Sequence, residues 1–345
     1  NFISENTPYN GILLWHEVGV GKTCAGISIA ENFRSKMNAN NKKIIILTPS
    51  ETLQQNWTDE IFNVEKELNK KTSGNTHNVQ CTGTTYSDKF SNITPQNHIS
   101  VKRKVKRYIS QFYTICSYNQ LASSIIKKSH ATSWRSANKQ KNLIEYVKKE
   151  FSNRLIIMDE IHITRQADGS TTEKKSVEYL ELIARYAENT KIVLLTATPM
   201  YNISSEIIWL LNILLLNDKR APLLESDIFT KDGIEFKKND EEEESIQDAL
   251  NLLINKSRGY ISYVRGSNPI SFPLRIEPTK ETYTPTPTRE IISSNPVKID
   301  DSARLIENMT FFKNVMSDWQ WNHLKQELSL IHISEPTRIG MISYA

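Results

Sequence analysis

One run of eight residues constrains this chain more than any other. His16-Glu17-Val18-Gly19-Val20-Gly21-Lys22-Thr23 follows the short apolar run Gly11-Ile12-Leu13-Leu14-Trp15. It precedes a segment, Cys24 to Met37, in which Ala25, Ile27, Ile29 and Ala30 recur at helical spacing. A strand, a glycine-rich turn and a helix in that order make a phosphate-cradling loop, because the glycines let successive N–H groups converge at the positive end of the helix. On this reading Gly19, Val20, Gly21, Lys22, Thr23 and Cys24 wrap the phosphates. Lys22 reaches the β- and γ-phosphates, and the Thr23 hydroxyl holds Mg²⁺. The general pattern asks for Gly where His16 stands, and a glycine-rich turn before an ordinary helix is the plainer alternative.

Later segments repeat the strand-then-helix rhythm. Lys43 to Leu47 predicts a strand ending at Thr48-Pro49-Ser50, then a helix whose stripe is Leu53, Trp57, Ile61 and Phe62, with Trp57 and Phe62 as core. From Lys66 to about residue 100 the sequence turns polar and predicts an insertion or long loop. The run Val101 to Arg107 carries Lys102, Arg103, Lys104, Lys106 and Arg107 and leads into the apolar Phe112 to Cys116, which predicts a strand. Such a run can neutralise phosphates, although a solvated face is the commoner use.

Two further motifs carry chemistry. Leu155-Ile156-Ile157-Met158 predicts a buried central strand that delivers Asp159-Glu160-Ile161-His162 at its C-terminal end, where open α/β sheets bind ligands. Asp159 would hold Mg²⁺, and Glu160 would orient and deprotonate an attacking water. His162 taken alone suits polar packing. Lys191 to Leu195 is another apolar strand, closing on Thr196-Ala197-Thr198-Pro199. There Thr198 could cap the helix carrying Ile207, Leu210, Leu211 and Leu214. Alternatively Thr196 and Thr198, with His162, couple the nucleotide site to a nucleic-acid groove. The order of the three motifs favours coupling.

With 345 residues, 38% hydrophobic and 24% charged, the chain can build a sizeable core, which excludes intrinsic disorder and a small disulfide scaffold. Lys plus Arg exceed Asp plus Glu by only 43 to 39, too mild a balance to predict a nucleic-acid partner by itself. The longest apolar stretch, Ile207 to Leu216, is about half a membrane span and predicts no membrane partner. Cys24, Cys81 and Cys116 lack metal-ligand spacing and cannot all pair; buried or idle thiols in a reducing compartment are expected. The start, Asn1-Phe2-Ile3-Ser4, lacks the features of a secretion signal.

The order of phosphate loop, Asp-Glu-x-His and Thr-Ala-Thr resembles superfamily 2 helicases and translocases. A closer resemblance is to the helicase-like ATPases of nucleocytoplasmic large DNA viruses, the poxvirus-type nucleoside triphosphatase I and early transcription factor small subunit group, relatives of Swi/Snf translocases. It rests on Thr7 to Phe33, the run to Trp57, Tyr113 to Leu121, Met158 to Arg165, Leu194 to Asn202 and Gly259 to Pro273. In that group a His commonly takes the first loop position, as His16 does here. Ile163-Thr164 departs from the expected form and leaves Arg165 without an assigned role.

The resemblance implies an α/β fold, a RecA-like three-layer lobe with a parallel central sheet from about residue 10 to 200, the first lobe of a two-lobe motor. It implies ATP and Mg²⁺ as ligands and Glu160 and Lys22 as catalytic residues. Nucleic acid, DNA more than RNA, is the implied partner, together with a viral RNA polymerase or transcription factor subunits. Viral transcription is the implied process, in the virion or host cytoplasm; the site is otherwise intracellular. A non-catalytic nucleotide-binding scaffold subunit and a cellular DExH RNA helicase stand as alternatives.

The expected domains are a lobe over 1–255, with an insertion at about 65–110, and a connector over 256–327 toward a second lobe. No Gln-x-x-Gly-Arg-x-x-Arg run follows residue 200, and Arg265 is expected to be a surface or linker residue. Asp240 to Glu244 is expected to be a solvated loop, Pro278 to Pro287 an extended connector, and Phe311, Phe312, Val315 and Trp319 the start of a helix. Leu328 to Arg338 and Met341 to Ala345 look like translated sequencing adapter, which makes 328–345 an expected non-native tail. The chain therefore reads as a piece of a longer ATP hydrolase, with little activity by itself.

Overall fold

The computed structural model describes residues 2–73, 80–129, 137–165, 171–200, 202–237, 242–264, 283–284 and 311–312. The chain divides into two compact units, Asn1–Asn268 and Pro269–Ala345, and the motifs above all lie in the first.

That unit is a sequence of strands each followed by helix. β1 (Gly11–His16) runs into α1 (Lys22–Ala39), and β2 (Ile44–Thr48) into α2 (Glu51–Ile61). Three helices, α3 (Val64–Ser73), α4 (Thr85–Lys89) and α5 (His98–Phe112), come before β3 (Tyr113–Ser117). Then α6 (Tyr118–Ser129) and α7 (Ala137–Phe151) lead to β4 (Leu155–Asp159). A 3₁₀ turn (Ile161–Arg165) and α8 (Thr171–Tyr186) lead to β5 (Lys191–Thr196). Last come α9 (Glu206–Asn217), α10 (Glu225–Ile228), α11 (Glu242–Ser257) and β6 (Ile261–Val264).

The six strands form one parallel sheet in the order β3-β2-β4-β5-β1-β6, the α/β architecture of a RecA-like lobe that the sequence predicts. Parallel strands need covering on both faces, and β2 and β4 are accordingly apolar and buried along almost their whole length. Their side chains alternate between two cores. Leu13, Leu47, Ile156 and Leu194 meet Leu121, Val147, Leu180 and Leu211 on one face. Leu14, Ile46, Ile157 and Val193 meet Ile27, Phe33, Trp57 and Ile109 on the other. Each such Leu or Ile contributes roughly 1.5–3 kcal/mol relative to exposure. α9 is buried on nearly every side, which explains its unbroken apolar run; among the described residues no helix is long and apolar enough to cross a membrane.

Several local expectations change. The polar stretch after Lys66 contains helices α3, α4 and the start of α5, because Tyr86, Ile93, Val101, Val105 and Ile109 supply enough buried anchors for it to fold onto α1 and α2. The basic run sits within α5, with Lys102, Arg103, Lys104, Lys106 and Arg107 turned away from that core. The sheet extends past residue 200 by β6, which pairs with β1 from Leu13↔Ile261 to His16↔Val264. Ser205, not Thr198, takes the N-cap position of α9. Of the acidic run expected as a loop, residues 242–244 open α11, and 240–241 lie outside the described residues.

In the second unit, Tyr283–Thr284 (β7) pairs antiparallel with Phe311–Phe312 (β8), so those two phenylalanines lie on a strand and do not begin a helix. Arg265, the remaining connector positions, residues 328–345 and the side chain of Arg165 lie outside the described residues.

Candidate nucleotide site

Strand order brings the motifs together. β5 lies between β4 and β1, with Asp159 opposite Leu195 and Trp15 opposite Thr196. The C-terminal ends of three adjacent strands therefore deliver the glycine-rich loop, the Asp159-Glu160 pair and the Thr196-Ala197-Thr198 turn to one edge of the sheet. In such sheets that edge is the ligand-binding one.

The loop's shape depends on two glycines. Gly19 has φ 83° and Gly21, the N-cap of α1, has φ 81°. This left-handed region costs an ordinary L-residue roughly 1–2 kcal/mol and costs Gly little. Gly21 turns the chain so that α1 starts at Lys22, placing Lys22, Thr23 and Cys24 in its first turn with the helix N–H groups facing the loop. Val20 is half-buried, and Val18 at the tip is among the most exposed apolar residues described.

Lys22 Nζ donates to Glu160 Oε1 at 2.7 Å, in a partly buried ion pair. Glu160 holds φ 46°, a strained backbone for a residue with a Cβ, and this turns its carboxylate back over the loop. Its second oxygen, Oε2, lies 3.4 Å from His162 Nδ1. His162 Nδ1 is 2.8 Å from Thr196 Oγ1, and Nε2 is 3.5 Å from Thr198 Oγ1. Thr196 Oγ1 also accepts the Thr198 N–H at 3.0 Å. Lys22, Glu160, His162, Thr196 and Thr198 thus form one continuous polar chain across the strand ends. Burial pushes the His162 pKa below its ordinary value and Lys22 adds to this, while Glu160 pulls the other way. The imidazole is neutral near pH 7.

Asp159 is buried, and Trp57 Nε1 donates to its Oδ2 at 2.7 Å. Burial raises the carboxyl's pKa; the Trp57 hydrogen bond and Lys22 oppose that rise and the Glu160 charge adds to it. Tyr118 Oη donates to the Asp159 carbonyl at 2.8 Å and fixes the backbone where the strand ends. A carboxylate and a hydroxyl are hard oxygen donors, so Asp159 and Thr23 suit Mg²⁺.

Sequence reasoning assigned Trp57 to the core, and it is 1% exposed, but its indole N–H also orients Asp159. Gly26 was not singled out. A Cβ there would lie 2.9 Å from Trp57 Cη2 and 3.2 Å from Leu195 Cδ1, so a glycine lets α1 approach that ring. The only sequence signal for it is a glycine inside a helix.

His16 replaces the usual first glycine and is buried at the end of β1, with Nε2 3.3 Å from Ser262 Oγ of β6. Burial and nearby Lys22 lower its pKa. Alongside it, Trp15 packs edge-on against Tyr263, and Tyr263 Oη donates to Glu17 Oε1 at 3.2 Å.

The cysteines do not stay idle. Cys24 and Cys81 are joined as a disulfide with Cα atoms 5.1 Å apart. Cys116 alone is a free thiol among the described residues, and burial pushes its pKa up to about 11.

Comparison with known proteins agrees with this architecture. The SNF2-related domain matches residues 2–261. An inferred ATP-dependent RNA helicase of Acanthamoeba polyphaga mimivirus is 29% identical over 298 residues, covering 80% of this chain and 23% of the relative. Another from the same virus is 29% identical over 272 residues, with 79% and 40% covered. An inferred helicase of Frog virus 3 is 27% identical over 270 residues, with 78% and 23% covered. The chain thus spans less than half the length of each of these relatives. With the match running from the first strand of the sheet into the last, the chain belongs to the SNF2-related domain family, among the helicase relatives of large DNA viruses.

Proposed function

We propose that this chain is the ATP-binding lobe of a nucleic-acid-dependent ATPase that translocates along nucleic acid in viral transcription. The continuous chain from Lys22 through Glu160 and His162 to Thr196 and Thr198 supports the reading above all. It links the residue that would meet the γ-phosphate to a turn that would face a nucleic-acid groove.

In this proposal the N–H groups of Gly19 to Cys24 cradle the phosphates and Lys22 neutralises the terminal phosphoryl oxygens. Thr23 and Asp159 would hold Mg²⁺, which would supply charge neutralisation at the phosphates. Trp57 aims Asp159. Glu160 orients the attacking water and takes its proton once Lys22 has turned from Glu160 to phosphate. Neutral His162 reports that change to Thr196 and Thr198. A second lobe would add positive charge at the transferring phosphate. The proposed organisation is a lobe over 1–255, a connector over 256–327 whose first strand, β6, joins the lobe's sheet, and a non-native tail over 328–345. The partners are nucleic acid, DNA in preference to RNA, and viral polymerase or transcription-factor subunits, in the virion or host cytoplasm.

The test uses a fluorescent ATP analogue with this chain and ATP turnover with the longer parent protein. Lys22→Ala is expected to abolish analogue binding, and Glu160→Gln to preserve binding while cutting nucleic-acid-stimulated turnover by about 10²–10⁴-fold. Unchanged turnover in either variant would remove the assignment. Stimulation by RNA but not DNA would replace the partner preference.

A further inference from the structure

The pairing of Cys24 with Cys81 has no part in the nucleotide chemistry above, yet it lies one residue beyond Thr23. Cys81 is held in place firmly. Gln80 brackets Asn63, accepting its N–H at 3.1 Å through Oε1 and donating to its carbonyl at 2.9 Å through Nε2. Thr82 Oγ1 donates to the Ile61 carbonyl at 2.9 Å, and the Gly83 N–H closes a turn onto the Gln80 carbonyl at 2.9 Å. Cys81 is thereby pinned at the C-terminal end of α2, facing the first turn of α1.

The geometry around the pair is specific. Cys24 occupies the first turn of α1, with its Cα 5.1 Å from that of Cys81. Glu60 Oε2 lies 3.5 Å from Cys81 Sγ, and the other Glu60 oxygen is 3.2 Å from Lys66 Nζ, so a carboxyl group stands beside the second sulfur. The three ligand atoms of Cys24, Glu60 and Cys81 all lie within 4.8 Å of one another. Both cysteines are half-buried, within reach of a small co-reactant. Cys116, also half-buried, has its thiol pKa pushed up by burial.

We propose that Cys24 and Cys81 form a reversible thiol–disulfide site that clamps the phosphate-loop helix to the turn before α4, with a low-molecular-weight disulfide such as glutathione disulfide as co-reactant. The Cys24 thiolate attacks one glutathione sulfur; an S–S bond forms to Cys24 and glutathione thiolate leaves. Glu60 takes the proton of Cys81, and the resulting thiolate attacks Cys24 Sγ in the mixed disulfide. The protein disulfide forms and the second glutathione thiolate departs. One glutathione disulfide is reduced to two glutathiones as two cysteines are oxidised, and the two thiol protons end on the glutathiones by way of solvent and Glu60. Reduction reverses both steps and frees the helix that carries Lys22 and Thr23. Only the consequence for nucleotide rests on the function proposed above.

The test equilibrates the full chain in glutathione buffers of different ratio, quenches in acid, denatures it, alkylates with N-ethylmaleimide and maps peptides by mass spectrometry. In the reduced buffer all three cysteines should be alkylated. In the oxidised buffer alkylation of Cys24 and Cys81 should be lost together while Cys116 still reacts, and in samples quenched at intervals before equilibrium Glu60→Gln should slow this loss. Amide exchange of residues 19–27 should be slower in the oxidised form, and Cys81→Ser should erase the difference. Full alkylation of Cys24 and Cys81 at every ratio, a bridge to Cys116, or exchange indifferent to oxidation would each overturn the proposal. Neither readout uses nucleotide, so a failed phosphate-loop assignment would show separately, as no analogue binding in either redox state.

Discussion

The contact between Gly26 and Trp57 makes a prediction in which one substitution changes sign with its background. Gly26→Ala replaces a helix-interior glycine, which by itself gains roughly 0.8–1 kcal/mol of helix stability. Here the new methyl would stand 2.9 Å from Trp57 Cη2 and 3.2 Å from Leu195 Cδ1, in a core with little room to yield. Overpacking of this kind costs roughly 1–3 kcal/mol. The net effect in the native background is therefore a loss of up to about 2 kcal/mol. The ring is pushed from Asp159, and Mg²⁺-dependent binding of an ATP analogue should weaken with it.

Trp57→Phe removes both the outer ring atoms and the Nε1–H bond to Asp159. Losing a hydrogen bond to a charged group costs roughly 1.5–3 kcal/mol, and the space left behind adds to that. In the double variant the clash with the ring is gone, so Gly26→Ala should stabilise the Trp57→Phe background by roughly 0.5–1 kcal/mol. The coupling between the two sites is then about 1–3 kcal/mol. Urea denaturation of all four proteins, followed by far-ultraviolet circular dichroism so that loss of the indole does not confound the signal, measures it. Equal effects of Gly26→Ala in both backgrounds, within about 0.5 kcal/mol, would refute the proposed packing.

Three further outcomes are expected. Gly21→Ala, at φ 81°, should cost roughly 1–2 kcal/mol in the same denaturation assay and weaken analogue binding more than a substitution at exposed Val18 does. Because burial raises the Asp159 pKa, the fold disfavours its ionised form; Asp159→Asn, which still accepts from Trp57, should raise the melting temperature near pH 7 while abolishing the Mg²⁺ dependence of analogue binding. His162 is lowered from about 6.5, so the unfolded chain binds its proton more readily, and stability should fall as pH drops through that value toward the folded pKa. His162→Gln should flatten this part of a melting-temperature profile between about pH 5 and 7, and an unchanged slope would remove His162 as its source.

The large features of this lobe were legible because they are periodic or local. Five strands declared themselves as apolar runs, and glycine spacing marked the loop after β1. The residues that failed to declare themselves act through distance in sequence. Nothing near Trp57 signals Asp159, 102 positions away, and only β4's place in the sheet joins them. The segment from 66 to 100 looked like loop because its anchors, Tyr86 and Ile93, are sparse and sit on short elements whose pattern is weaker than their polar surroundings. β6 is four residues long and largely exposed, with no buried alternation to betray it. The Cys24–Cys81 pairing depends on a turn fixed by Gln80 and Asn63, whose side-chain bonds have no periodic signature.

β6 also sets a load path. It lies parallel to β1, so the chain leaves β6 at Val264, at the same edge of the sheet as the glycine-rich loop. A tug on the polypeptide beyond Val264 would be resisted by the β1–β6 hydrogen bonds in shear, all strained together instead of opening one at a time. The first side chains to feel that tension would be Tyr263 on Glu17 and Ser262 on His16, both at the mouth of the loop. Tension on the connector and the shape of the loop are thus mechanically one variable.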